Sequence, residues 1–400
     1  MTRTLDNPFV RSGREALIVD AVRTPFGRAH AERGWYRDVH PNVLLGSVYT
    51  ELLTRSGLDA AAIEDLVIGC TAPFGEQSRN IGRNAWLQAG YPPEVPAVVV
   101  DRRCGSAQTS VEIGAAFVAS GTHDLVIAGG VEHMGHVPID SPARIEEIYG
   151  KAWTPEMWAR YAFVGQGESA ELIRERWGIT REEMDAFALR SHRLAAEAWE
   201  QGRFDRELVP IEMDGLQLRG DQSVRADASL EALAGLKPAF RAENGTVTAG
   251  SSSPLSDGAA GVLLASRDAA SAHGLRPRAR IVDQTTVGVD PIIMLTGPIP
   301  ATQRILERNG LTIDDIDLFE VNEAFSSVVL AWERELGADR DRLNVNGGAI
   351  ALGHPVGASG SRLIATIVSE LERRDAELGL VTMCCGGGLG TATLIQRIDG

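Results

Sequence analysis

Residues 344–362 read NVNGGAIALGHPVGASGSR. The stretch has neither the 3.6-residue period of a helix nor the alternation of a strand. Gly347, Gly348, Gly353, Gly357 and Gly360 would let the backbone take positive φ angles and let another segment approach closely, both costly unless something requires them. Among them stands His354, followed by Pro355. Alone, this is a glycine-rich connector with a solvated histidine. Read functionally, it is an imidazole fixed on a turn at a helix start, and the chain must supply its partner.

The partner is Cys104. It lies in RRCGS, between an apolar run at 97–100 and a small-residue helix that Ser106 can cap and Gly121 ends. Upstream, EALIVDAV from Glu15 and DLVIGC from Asp65 read as buried strands, with a helix at 41–57 between them; a further strand at 124–128 ends in Gly129-Gly130. From about Arg278 the alternation restarts. ARIVDQ, DLFEV, GLVTMCC and TATLIQRI are strands, with helices near 300–308, 324–335 and 358–373. Strands alternating with helices predict α/β halves with mostly parallel sheet. The spacing from Asp65 to Cys104 equals that from Asp315 to His354, 39 residues, which points to an internal duplication placing Cys104 and His354 at equivalent helix starts.

Between the halves the texture changes to tryptophan, methionine and charge. Thr180 and Glu183 form a capping box for a helix to Gln201, and strand signals are sparse, so this region reads as an inserted, mainly helical layer.

A formal charge of −15 argues against a general nucleic-acid surface. With 44% hydrophobic and 23% charged residues the composition is globular. No run of eighteen apolar residues occurs and MTRTLDNPFVRSGREA lacks the core of a signal peptide, so a cytoplasmic protein without membrane contact is expected. Cys70, Cys104, Cys384 and Cys385 read as reduced thiols; no HExxH or CxxC occurs, and no metal site is expected. A cysteine just ahead of a helix gains thiolate character from the dipole, and a neutral histidine beside it makes an activated nucleophile pair. In CCGGGLG, backbone N–H groups can face an oxyanion and a thiol can move protons; no helix follows, so a dinucleotide fingerprint does not fit.

CGS at Cys104, AGGVEHM at Ala128, TAGSSSPLSDGAA at Thr248, NEAF at Asn322, NGGAIALGHPVGASGSR at Asn346 and CCGGGLG at Cys384 resemble the thiolase family, in order and spacing, from about Glu15 to the C-terminus. The resemblance implies a thiolase fold: duplicated mixed-sheet α/β halves in a layered αβαβα arrangement with an inserted loop domain. It implies an N-terminal half at 1–133 plus 246–276, a loop domain at 134–245 for CoA and the acyl group, and a C-terminal half at 277–400.

By position, Cys104 matches the acylated nucleophile and His354 its base, which also binds the thioester oxygen. Cys384 matches the thiol that moves the α-carbon proton, and Asn322 the residue holding the water of that oxyanion site. The N–H groups of Cys104 and Gly386 match the second oxyanion site, Arg225 the contact to the CoA nucleotide and Ser253 that to its pantetheine. The implied reaction is acyl transfer between CoA thioesters through an acyl-cysteine. A 3-ketoacyl-CoA is cleaved by CoA to acetyl-CoA and a shortened acyl-CoA, or the reverse condensation runs. CoA is a co-substrate, no cofactor is covalently bound, and the implied assembly is a homodimer or homotetramer. Ala107 and Ser251 depart from the family pattern, which leaves the substrate open. The alternatives are a ketoacyl-synthase-type condensing enzyme, against which Cys384 counts, and a non-catalytic acyl-CoA or lipid-binding relative.

Overall fold

The computed structural model describes residues 14–213 and 215–398; the first residues, whose composition argued against a leader, lie outside them. One half is built on β1 (Leu17–Arg23), β2 (Asp65–Gly69), β3 (Ala97–Val100), β4 (Leu125–His133) and β5 (Ser256–Ala265), with helices α1 (Pro41–Ser56), α2 (Ile81–Gln88) and α3 (Ser106–Ser120). Between β4 and β5 the chain inserts, among shorter pieces, α4 (Gln166–Arg176) and α5 (Arg181–Glu200), the latter entered through the Thr180/Glu183 capping box. The other half comprises β6 (Ala279–Gly288), α6 (Pro298–Asn309), β7 (Leu318–Val321), α7 (Ser326–Leu336), α8 (Ser359–Arg374), β8 (Leu378–Cys385) and β9 (Leu389–Arg397).

The strands run in the order β7-β8-β9-β6-β1-β5-β4-β2-β3, and the halves meet where Leu17 of β1 faces Arg280 of β6. The sheet is mixed rather than mostly parallel. Strand β2 is parallel to β3 and β4, and β7 to β8, but β5 runs antiparallel to β4 and β1, and β9 to β8 and β6. The cause is covalent in the second half, where β8 turns directly through Gly386–Gly388 into β9; in the first half the insertion bridges the equivalent strand ends.

Helices α1 and α2 cover the outer face of the first half, and α6 and α7 that of the second. Helices α3 and α8 pack together on the inner faces of the two halves of the sheet. Strands covered on both faces need continuous apolar or small residues, and SDGAAGVLLA of β5 is buried at every position. Helix α8 is buried from Ser359 to Leu371, so its polar groups need internal partners; Arg362 pairs with Glu320 of β7 at 3.0 Å.

The duplication can be followed in hydrogen bonds, and it corrects the register expected from spacing. The Glu64 N–H donates to Leu125 O while its carboxylate accepts the Asp124 and Leu125 N–H groups; Asp317 does the same for Leu378 O and the Glu377 and Leu378 N–H groups. Asp65 therefore corresponds to Leu318, not to Asp315. Ser106 and Ser359 are equivalent, each opening a central helix. Cys104 stands two residues ahead of its serine, but His354 stands five ahead. Nine residues lead from Ala97, which pairs with Leu66, to Ser106; sixteen lead from Leu343, which pairs with the equivalent Phe319, to Ser359. The longer second connection is the glycine-rich stretch, and it reaches His354 out from the fold.

Close backbone contact holds the halves together. A Cβ at Gly130 of β4 would lie 1.9 Å from the carbonyl oxygen of Gly357. Gly130→Ala should destabilise the protein by on the order of 2–3 kcal/mol through overpacking against backbone that has no rotamer to yield. Chemical denaturation measures this, and a wild-type midpoint would contradict it.

Candidate active site

The starts of the central helices lie against each other. A Cβ at Gly69 would sit 2.5 Å from Ala107 N and 2.9 Å from Gly357 O, and one at Gly360 would sit 2.3 Å from Gln108 N. Only glycine allows this approach. It brings the segment before α3, with Cys104, to the segment before α8, with His354.

The Cys104 thiol is buried, with the N–H of Gly386, the first residue after β8, close enough to favour its thiolate. Burial pushes the thiol up to about 11, although the Gly386 N–H and the Arg103 guanidinium favour the thiolate. Burial therefore works against the thiolate character expected from the helix start. Cys384, buried at the end of β8, is also pushed up, first by burial and then by neighbouring Cys104. The Cys385 sulfur backs the loop, since a Cβ at Gly105 would meet it at 2.6 Å.

His354 is held at three points. Its N–H donates to Ser256 Oγ at 3.1 Å, its Nδ1 lies 2.6 Å from Ser359 Oγ, and its Nε2 lies 3.3 Å from Asn322 Nδ2. Burial, then the charge of Arg362, lowers its pKa to about 3, so the ring is neutral near pH 7. Asn322 extends β7, its N–H donating to Thr382 O at 3.0 Å, and its Oδ1 is buried with no protein partner. Next to it, the Glu323 carboxylate accepts from Ser191 Oγ, Asn344 Nδ2 and Ile350 N–H, tying the NEAF segment to the glycine-rich stretch and to α5.

The structure thus pairs His354 with Asn322, and Cys104 with Gly386 and Cys384, near the adjoining starts of the two central helices. Arg225 lies apart from them, lining a cavity of about 320 Å³ with Arg28, His192, Asp227, Ser252 and Ile350. Ser253 is half-buried between two residues of that lining, and its N–H donates to Ala324 O at 3.0 Å. The cavity therefore leans on the loops that carry Asn322 and His354. Sequence reasoning missed Ser256 and Ser359, which hold His354, Arg28 in the cavity, and Gln166, whose Nε2 lies 3.0 Å from where a Gly386 Cβ would be. Ser359 alone carried a signal, five residues after the histidine at a helix start. Among the described residues no cluster of three or more His, Cys, Asp or Glu side chains is arranged for a metal ion, and no helix is long and apolar enough to cross a membrane.

Comparison with known proteins gives two family models in tandem, the thiolase N-terminal domain over residues 16–268 and the thiolase C-terminal domain over 275–397. The chain is 44% identical to a Mycobacterium tuberculosis protein named steroid 3-ketoacyl-CoA thiolase, over 98% of this chain and 97% of that one. It is also 44% identical to a 3-ketoacyl-CoA thiolase of Cronobacter sakazakii, over 96% of this chain and all of that one. The crystal structure of Bacillus anthracis acetyl-CoA acetyltransferase superposes with a TM-score of 0.86 at 36% identity, covering 96% of this chain and 99% of that one.

A neutral Cys104 thiol makes a kinetic prediction. Iodoacetamide labelling of Cys104 in the free protein, followed by peptide mass spectrometry, should accelerate about tenfold per pH unit from pH 7 to 10 as the thiolate fraction rises. A rate already at plateau by pH 8 would contradict the raised thiol.

Proposed function

The chain belongs to the thiolase family, whose substrates are CoA thioesters, and it is an acyl-CoA C-acyltransferase of that family; from this premise we propose how its residues divide the chemistry. The condensing-enzyme and binding-protein alternatives are not favoured by these relatives. One observation supports the division most: the buried Cys104, with Cys384 and Gly386 beside it, and the buried His354, with Asn322 beside it, precede two helix starts that touch backbone to backbone.

In the degradative direction, Cys104 Sγ attacks the 3-keto carbon as His354 Nε2 takes the thiol proton. The bond between C2 and C3 breaks, leaving an acyl thioester on Cys104 and the enolate of acetyl-CoA. The His354 Nε2–H and a water held by the otherwise unpartnered Asn322 Oδ1 bind the enolate oxygen. The Cys384 thiol delivers its proton to the enolate carbon, and acetyl-CoA leaves. The incoming CoA thiol gives its proton to the Cys384 thiolate and attacks the acyl-cysteine, whose oxygen is held by the N–H groups of Cys104 and Gly386; collapse releases the shortened acyl-CoA and the Cys104 thiolate, which takes back its proton from His354. Condensation is the same path reversed.

CoA would lie along the inserted layer, with its phosphates toward Arg225 and Arg28 and its pantetheine passing Ser253, an arginine-lined entry that suits an anion on an acidic protein. The proposal keeps the three-part division at 1–133 plus 246–276, 134–245 and 277–400, a homodimer or homotetramer, and a cytoplasmic location. A ring-bearing or branched acyl group is favoured by the partly exposed rings of Trp153, Trp158, Tyr161 and Phe163, which contact one another at 4.9–5.5 Å and lead directly to Gln166 beside Gly386.

Two tests follow. With a 3-ketoacyl-CoA and free CoA, Cys104→Ala should yield no acetyl-CoA, Cys384→Ala should accept an acyl group yet fail in carbon–carbon chemistry, and Asn322→Ala should lose about a hundredfold in kcat. Wild-type thiolysis by Cys384→Ala would contradict the division. Across a substrate panel, kcat/KM should be higher for ring-bearing than for linear chains of equal carbon number; the reverse order would remove the aromatic segment from the acyl site.

A further inference from the structure

Ser359 opens α8, fully buried, and its hydroxyl meets two groups of the preceding turn. It lies 2.9 Å from the Pro355 carbonyl oxygen and 2.6 Å from His354 Nδ1. A hydroxyl has one proton to donate and lone pairs with which to accept. If the proton goes to Pro355 O, the oxygen can accept only from an Nδ1–H. The other face of the ring agrees: Asn322 Nδ2, a donor, lies 3.3 Å from Nε2.

The first half of the molecule shows the same division at the equivalent residue. Ser106 Oγ donates to the Arg103 carbonyl at 2.6 Å and accepts the Arg102 N–H at 2.9 Å. Each serine donates to a carbonyl of the turn before its helix and accepts an N–H from the same turn. In the first half that N–H is backbone. In the second half the longer connection brings an imidazole N–H into its place.

We propose that Ser359 is a positioning residue that holds His354 as the Nδ1–H tautomer, so that the Nε2 lone pair faces Asn322 and the reacting groups. The inference rests on the reading of His354 as the base for Cys104. When the Cys104 thiol proton moves to Nε2, the ring becomes an imidazolium with both nitrogens protonated. The Ser359 oxygen already accepts at Nδ1, so the ring needs no reorientation. The same hydrogen bond then stabilises the cation against Arg362, the charged group of α8 that faces it and is itself paired with Glu320 of β7. Without Ser359 the ring could carry its single proton on Nε2, and no lone pair would face the thiol.

The direct test is imidazole nitrogen NMR on the full-length protein labelled with [15N]histidine, His354 being assigned by the signal lost in His354→Asn. The wild type should show a protonated Nδ1 and an unprotonated Nε2 between pH 6 and 8. A protonated Nε2 in the wild type would overturn the proposal, whether or not Ser359 variants fold and whether or not the protein catalyses thiolysis. In Ser359→Ala the Nε2–H form should gain population, and kcat should fall about ten- to a hundredfold with KM for CoA unchanged. A variant with the wild-type tautomer and wild-type kcat would equally overturn it. Absence of thiolysis in the wild type, with the predicted tautomer present, would count against the catalytic reading alone.

Discussion

The contact of two helix starts, backbone against backbone, is the constraint from which the rest follows. Gly69, Gly130, Gly357 and Gly360 are where β2, β4, α3 and α8 touch without side chains between them. Any Cβ there would push the central helices apart, and with them the segment that carries Cys104 and the one that carries His354. Each half provides its own strands of the shared sheet and its own outer helices, yet neither can assemble the site alone. Cys104 needs the Gly386 N–H from the β8–β9 turn, and His354 needs Ser256 from β5.

Burial then decides the charge state. A helix N-terminus contributes about 0.3–1 kcal/mol to a nearby anion, up to about 2 in a partly buried site. For Cys104 the rise from 9.0 to about 11 is a net cost to the thiolate of roughly 3 kcal/mol, after the favourable Gly386 and Arg103 contributions are included. Desolvation wins. The free site holds a thiol and a neutral imidazole, so charge develops only with the substrate in place, where the N–H donors, the imidazolium and the Asn322-bound water can meet it. Reacting groups that are themselves uncharged are also compatible with burial, and they differ in environment, as catalytic pairs require.

Much of this was legible in the sequence because local chemistry and period agreed. The capping box at Thr180, the glycine stop after α1 and the turn after Cys385 stand where their residues dictate, whereas β4 runs on through Gly129 and Gly130 to His133, past the stop expected there. Cys104, His354 and Cys384 stood out because cysteine and histidine near glycines are uncommon in loops that only connect, whereas Asn322, in VNEAF, was indicated only by the family resemblance. Strand direction was not legible, because apolar runs look alike in parallel and antiparallel neighbours. Register misled: equal spacings from Asp65 and Asp315 began at residues that do not correspond, and only the paired hydrogen bonds of Glu64 and Asp317 revealed it. Burial of Cys104 works against the pull expected from the α3 start, and burial cannot be weighed from a single chain of letters. Serines 256 and 359 were hidden for the commonest reason, since a serine near a helix start is ordinarily no more than a cap.

The central claim is that the two halves meet to make Cys104 the acyl carrier. The most direct measurement is to mix the wild-type protein with an isotopically labelled 3-ketoacyl-CoA, omit free CoA, quench in acid and map the label by peptide mass. The account predicts one acyl group per chain on the peptide containing Cys104, released when CoA is added before the quench. Label on Cys384, Cys385 or Cys70, or acetyl-CoA formed with no acylated peptide, would contradict it.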